Sequence, residues 1–174
     1  MIRTFISIDI PREIQKEIKK IQGKLPEFRG KKTEPENLHL TLKFLGEIDE
    51  EKFEQIKEKL REIKFEKFET EIKHSGFFDN RKYGIVWLHL SDCENLQKEI
   101  DEKLSSLFRK EKRFMSHLTI ARIKSVDDKK KFLEELKKIE IPEIKFVVDN
   151  FRLRKSVLTF KAPVYETIEE YNLI

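Results

Sequence analysis

Apolar and polar positions follow two periods that alternate along the chain. Between Thr4 and Ile10 apolar and polar residues alternate, which predicts a strand, and after Pro11 apolar residues recur at helical spacing. Three further helices are expected after aspartates that can cap them or precede them: Asp49, Asp92 and Asp127. The remaining strands are expected at LHLTLKFL, Phe68–His74, Ile85–Leu90 and HLTIARI, and in three segments after Glu143 with breaks near Lys155 and Pro163.

The two halves of the chain have the same order of predicted elements: helix, HLT strand, helix, strand, strand. Landmarks in the two halves lie 78 positions apart, as in the pairs Asp49 and Asp127, and Trp87 and Tyr165. This constant offset predicts an internal duplication, with pseudo-repeat halves at about 1–91 and 92–174 in a single bilobal domain. Terminal strands that cross between the lobes would explain why the second half lacks a leading strand. The alternative to a duplication is that the spacing of the landmarks agrees by chance, as it can in any two α+β segments once their helices and strands are aligned.

Each HLT strand sorts its side chains onto two faces. Regular alternation directs His39, Thr41 and Lys43 to one face, and His117 and Thr119 to the equivalent face of the other strand. The leucines between them point inward. An imidazole and a hydroxyl two residues apart on a strand are about 7 Å apart. Two lobes that face each other would therefore gather two such pairs around one cleft.

These residue types suit the hydrolysis of a cyclic phosphodiester. One group must accept a proton from water while another protonates the departing ribose oxygen, and histidine can do either near neutral pH. Threonine hydroxyls can donate hydrogen bonds to the non-bridging phosphate oxygens as charge builds there. Because the two sites look equivalent, the residues alone do not say which histidine is the acid.

Composition narrows the class of protein. The chain has 174 residues, 40% of them charged, and a net charge of +4, which is compatible with an anionic ligand. One cysteine, Cys93, excludes an internal disulfide, and with no signal-peptide or membrane-spanning pattern we expect a cytoplasmic protein without membrane partners. We expect no cofactor and no metal, since neither histidine has ligands at zinc spacing and no glycine-rich phosphate loop is present. Abundant Lys and Glu with few Gln and Asn resemble proteins from hot environments.

The two tetrads HLTL and HLTI resemble the paired H-x-T-x motifs of the 2H phosphoesterase superfamily. More narrowly, FISIDIP, ENLHLTLKFLGE, SHLTIAR and SVLTFKAPVYE resemble strings of the RNA 2′,3′-cyclic phosphodiesterases first described as bacterial and archaeal 2′-5′ RNA ligases. The resemblance implies an α+β, bilobal fold: two duplicated lobes of antiparallel sheet with helices outside and a central cleft. It also implies metal-independent hydrolysis of a cyclic phosphate end to a 2′-phosphate, on RNA such as tRNA fragments.

In that family pattern His39 would be the proton donor and His117 the proton acceptor, with Thr41 and Thr119 holding the phosphate. Arg122 occupies the place of a family arginine after the second motif, although regular alternation points it away from His117 unless the strand bulges.

Weaker candidates have a structural alternative beside the functional one. Lys43 either meets the phosphate or is solvated. Three aromatic residues in the predicted turn SGFFDNRKYG either stack on an RNA base or pack in the core. They are Phe77, Phe78 and Tyr83. The basic loop Arg109–Arg113 is either a solvated surface or a guide for an RNA backbone.

His74 and His89 are expected to be structural, with His74 buried. Other functions of the same site remain open: hydrolysis of a small cyclic nucleotide, nucleotide binding in the cleft, a non-catalytic module that grips RNA ends, and minor 2′-5′ ligation. We expect a monomer.

Overall fold

A computed structural model describes all 174 residues, which form nine strands, four α-helices and one 3-10 turn. The strands are β1 Ile2–Asp9, β2 Arg29–Lys32, β3 His39–Ile48, β4 Phe68–Asn80, β5 Tyr83–Leu90, β6 His117–Ser125, β7 Ile144–Val148, β8 Asn150–Leu158 and β9 Pro163–Asn172. The helices are α1 Arg12–Gly23, α2 Glu50–Arg61, α3 Glu94–Lys103 and α4 Lys129–Lys137, and the 3-10 turn is Pro35–Asn37. None of the helices has the length and apolar character needed to span a membrane.

All strands pair antiparallel in the order β7-β4-β5-β6-β3-β1-β8-β9, with β2 beside β6. Strands β3 and β6 meet at the centre through one register pair, Leu40 opposite Leu118, and both leucines are fully buried. Removing such a side chain from water stabilises the fold by about 1.5–3 kcal/mol. The two HLT strands thus pair at a single, fully buried position in the centre of the sheet.

The helices bury one apolar stripe each in a single core that includes the inward-facing residues of the central strands. Helix α2 begins where the sequence predicts, because the Asp49 side chain accepts a hydrogen bond from the Lys52 N–H at 2.8 Å. The cap predicted for α4 is wrong by one residue. Asp128, not Asp127, accepts from the Lys131 N–H at 3.0 Å, while Asp127 pairs with Arg29 on β2.

Three segments differ from their predicted structure. The turn predicted between Ser75 and Gly84 is mostly strand, because β4 and β5 pair continuously up to a two-residue turn at 81–82. The polar segment after α1 contains the short strand β2 and not only a loop. Lys155 lies within β8, and the breaks fall at Asp149 and at residues 159–162. Strand pairing across the sheet overrides these local turn signals.

Candidate active site

The two HLT strands bring their polar residues into one cleft of about 520 Å³. His39 and Thr41 line it from β3, and His117 and Thr119 line it from β6. The alternation that buries Leu40 and Leu118 leaves these four side chains on the opposite face of the sheet. The structure therefore gathers all four residues that the sequence singled out for chemistry.

Both imidazoles are held by the same backbone contact. Nδ1 of His39 donates to the carbonyl oxygen of Asn37 at 2.7 Å, and Nδ1 of His117 donates to the carbonyl oxygen of Met115 at 2.9 Å. A carbonyl oxygen only accepts, so Nδ1 carries the hydrogen in each ring. Nε2 is consequently the nitrogen left to exchange a proton with a ligand.

His39 lies in an aromatic and charged environment. The rings of Phe5 and Tyr165 each lie 5.1 Å from the imidazole, centroid to centroid. Behind Tyr165 the buried Arg154 donates to Asp9 at 2.8 Å. Burial lowers the pKa of His39 and outweighs the hydrogen bond to Asn37, with the Arg154 charge lowering it further.

His117 has different neighbours. The rings of His117 and Phe78 are nearly perpendicular with centroids 5.2 Å apart, and Phe78 in turn packs on Trp87 with centroids 5.1 Å apart. His89 on β5 pairs directly opposite His117, and His74 stacks on His89 with ring centroids 4.9 Å apart. The prediction that His74 is buried is wrong, because its position at the irregular start of the β4–β5 pairing leaves it exposed. Phe78 is half-buried against His117, so contact with a substrate base stays a prediction for it.

A β-bulge in each HLT strand changes which side chains face the cleft. Leu42 has no partner in the pairing of β3 with β1, and Ile120 has none in the pairing of β6 with β5. The extra residue reverses the alternation beyond it. The bulge at Ile120 turns Arg122 into the cleft. Such a bulge was needed for Arg122 to face the same side as His117.

The same geometry makes the prediction for Lys43 wrong. Its bulge turns Lys43 to the helix side of the sheet, where only 8% of the residue is exposed and its Nζ pairs with the buried carboxylate of Asp101. Nζ also donates to the carbonyl oxygen of Arg109 at 3.0 Å, and Asp101 accepts from the Glu111 N–H at 2.6 Å. Lys43 thus anchors the basic loop Arg109–Arg113 to the core and does not line the cleft.

The structure adds cleft residues that the sequence did not indicate. Phe44, which the bulge turns outward, is 55% exposed in the cleft with the Arg3 guanidinium 5.1 Å from its ring. The cations that line the cleft outnumber its single carboxylate, Glu34; they are Arg3, Lys31, Lys32, Arg122 and Lys161. The sequence alone could not show that Phe44 lines the cleft. Regular alternation places Phe44 with the inward-facing leucines, and only the bulge at Leu42 turns it outward. Such a cleft favours an anionic ligand with an aromatic part.

Known proteins resemble this chain over nearly all of its length. The family model of LigT-like phosphoesterases matches residues 8–87 and 91–165. A protein named RNA 2′,3′-cyclic phosphodiesterase from Methanocaldococcus jannaschii is 39% identical over 175 residues, covering 98% of this chain and 100% of the relative. A protein of the same name from Thermotoga maritima is 36% identical and covers 97% of this chain and 94% of its own.

Solved structures share the fold. The apo structure of Escherichia coli LigT superposes with a TM-score of 0.79 at 24% identity, covering 99% of this chain and 97% of that one. The protein TT0787 of Thermus thermophilus gives the same score and identity, with coverage of 98% and 97%. The predicted α+β fold is confirmed by these matches, and the resemblance read from the HLT strands is confirmed by the family model. The chain belongs to the family of LigT-like phosphoesterases.

Proposed function

We propose that the protein hydrolyses the 2′,3′-cyclic phosphate at the end of an RNA and leaves a 2′-phosphate. The observation that carries the proposal is the pair of imidazoles in one cleft, each with Nδ1 tied to backbone and Nε2 left for a ligand. The names of the relatives support the substrate, since those proteins are called RNA 2′,3′-cyclic phosphodiesterases.

In the proposed step water attacks phosphorus and the bond from phosphorus to the ribose O3′ breaks. His117 Nε2 accepts the proton of the attacking water, and His39 Nε2 donates a proton to O3′. Thr41 and Thr119 donate hydrogen bonds to the non-bridging oxygens, and Arg122 compensates the charge that accumulates on them. The product is a 2′-phosphate with a free 3′-hydroxyl.

The environment of His39 sets a condition on its acid role. Burial lowers the pKa of His39, so the neutral form is favoured before substrate binds. The negative charge of a bound phosphodiester favours the protonated imidazole and raises the pKa again. His39 would therefore gain its proton together with the bound anion, whose charge offsets the positive lining of the cleft.

The exposed ring of Phe44 supports an RNA substrate, because bases of single-stranded RNA stack on aromatic side chains. Ligation through a 2′-5′ bond would be the same step with a 5′-hydroxyl in place of water as the nucleophile, and the P–O3′ bond would again break. Hydrolysis should dominate in an open cleft, where water is the abundant nucleophile.

We propose that the protein acts as a monomer, since one chain holds both HLT strands of the cleft.

The test uses a short RNA with a 2′,3′-cyclic phosphate end, incubated with the protein in EDTA. Wild-type protein should open the ring to a 2′-phosphate, and His39→Ala and His117→Ala should each lower kcat by at least about 100-fold. Loss of wild-type activity in EDTA would contradict the metal-independent mechanism. Binding of the RNA without product would instead indicate a non-catalytic module, and turnover of nucleoside cyclic phosphates but not of RNA would indicate a small-nucleotide enzyme.

A further inference from the structure

Strand β6 continues out of the cleft with cations on its cleft face. Beyond the bulge Arg122 faces the cleft, Ile123 is buried with 4% exposed, and Lys124 is exposed on the same side as Arg122. Strand β2 runs beside this part of β6 and pairs Lys31 with Arg122. Gly30 makes that approach possible, because a Cβ there would overlap the Arg122 carbonyl oxygen. Three cations from two strands therefore form a row that leads away from Thr119.

Most of this positive charge has no carboxylate beside it. Arg122 and Lys124 form no ion pair, and Lys31 has only a contact of 3.6 Å to Glu34. The neighbouring Arg29 on β2, by contrast, is paired with a carboxylate at 3.0 Å. Unneutralised cations in a row attract a polyanion, because each phosphate that they bind releases condensed counterions.

An exposed aromatic ring lies next to this row. Tyr83, the first residue of β5, is 38% exposed, and the Arg122 guanidinium lies 5.7 Å from its ring centroid. Its neighbour Gly84 pairs with Ile123, which places Tyr83 beside Lys124. Bases of single-stranded nucleic acid stack on such rings and on arginine planes without regard to sequence.

We propose that the RNA strand preceding the reacting nucleotide leaves the cleft along β6, with its phosphates on Lys31 and Lys124 and one base stacked on Tyr83. This proposal rests on the proposed function. Along β6 the distance from Thr119 in the cleft to Lys124 at the end of the row is about 15 Å, which is further than one nucleotide reaches. The terminal base would lie on the opposite, Phe44 side of the cleft. The preferred substrate class is then a single-stranded oligonucleotide with a cyclic end, in place of a mononucleotide.

The test compares two substrates, a tetranucleotide with a 2′,3′-cyclic phosphate end and a nucleoside 2′,3′-cyclic phosphate. Tyr83→Ala should lower kcat/KM for the tetranucleotide about ten-fold, the effect of losing one stacked base, and leave the nucleoside substrate unchanged. Lys124→Gln should reduce the slope of log kcat/KM against log salt for the tetranucleotide by about 0.7, the value for one phosphate contact with a single strand. Lys98→Gln, an exposed unpaired lysine on α3, is the matched control and should change neither.

Equal losses on both substrates, or no loss on the tetranucleotide, would overturn the proposal. Because both substituted side chains are exposed, the variants should unfold at the wild-type temperature. If the wild type opens neither substrate, the proposed function fails, and the row is tested by binding alone. Fluorescence anisotropy of a labelled tetranucleotide with a 2′-phosphate end must then show weaker binding to Tyr83→Ala and Lys124→Gln than to Lys98→Gln. Equal binding by all three would overturn the proposal.

Discussion

The buried pair of Lys43 and Asp101 allows a sharp prediction about stability. Asp101→Ala leaves the Lys43 ammonium in the core with only the Arg109 carbonyl oxygen as a partner. Leaving one charge of a buried pair uncompensated costs about 3–5 kcal/mol, a large part of the roughly 5–15 kcal/mol that stabilises a typical domain. Urea denaturation should therefore show a loss of about 3 kcal/mol or more. The melting temperature should fall by at least about 6 °C, at roughly 2–4 °C per kcal/mol for a chain of this size.

The double variant Lys43→Met with Asp101→Leu is the control for this prediction. Two well-packed apolar residues often replace a buried ion pair at little cost, so the double variant should recover most of the stability lost by Asp101→Ala. A loss below about 1 kcal/mol in the single variant is the value typical of an exposed pair and would refute the reasoning. If Lys43→Met raised KM for RNA and left stability intact, the lysine would belong to the cleft after all.

The same pair predicts a pH dependence. Burial by itself would raise the pKa of Asp101, but hydrogen bonds from Lys43 and from the Glu111 N–H prevail and leave it below its usual value. A carboxyl whose folded pKa lies below its unfolded value of about 3.9 contributes stability above that pH. The contribution is lost as the pH falls through the folded pKa. Acid titration of the unfolding free energy should show this loss in the wild type and not in the double variant.

Three further predictions concern the surroundings of the histidines. Because the folded pKa of His39 lies below its unfolded value near 6.5, the unfolding free energy should fall as the pH drops below that value, and His39→Gln should flatten the fall in urea titrations. Gly76→Ala would drive a Cβ into the Trp87 ring and should cost about 1–3 kcal/mol; an unchanged melting temperature would contradict this overlap. Asp9→Asn should lower kcat more than it raises KM, because it removes the charge that neutralises Arg154 next to Tyr165 and so disturbs His39; unchanged kcat would contradict that positioning role.

The placement of the two His–Thr pairs could be predicted from the sequence because their arrangement is local. Side chains two residues apart on a strand point to the same face, so the shared face of His39 and Thr41 could be predicted without tertiary information. The faces of Lys43 and Arg122 depend on two bulges, at Leu42 in β3 and at Ile120 in β6. A bulge is defined by the pairing with the neighbouring strand, which is distant in sequence. Local alternation beyond a bulge therefore gave the wrong face for both side chains.

Other errors have the same non-local origin. Asp127 was predicted to cap α4, but Asp128 is the cap, and Asp127 is paired with Arg29 on the distant strand β2. Gly76 indicated a turn, yet it lies inside β4 at the point where the Trp87 ring packs against the backbone. A glycine within a strand marked a close contact and not a change of direction.

The strand order also determines what would happen if the chain were cut. Hairpin β4–β5, from the first half of the sequence, pairs with β6, and hairpin β8–β9, from the second half, reaches β3 through β1. A break in the backbone between Ser91 and Asp92 would therefore leave two fragments that keep the pairs β1–β3, β4–β5 and β8–β9, while every other strand pair joins one fragment to the other. Neither fragment should form a complete sheet alone, and mixing the two should restore the cleft as a non-covalent heterodimer.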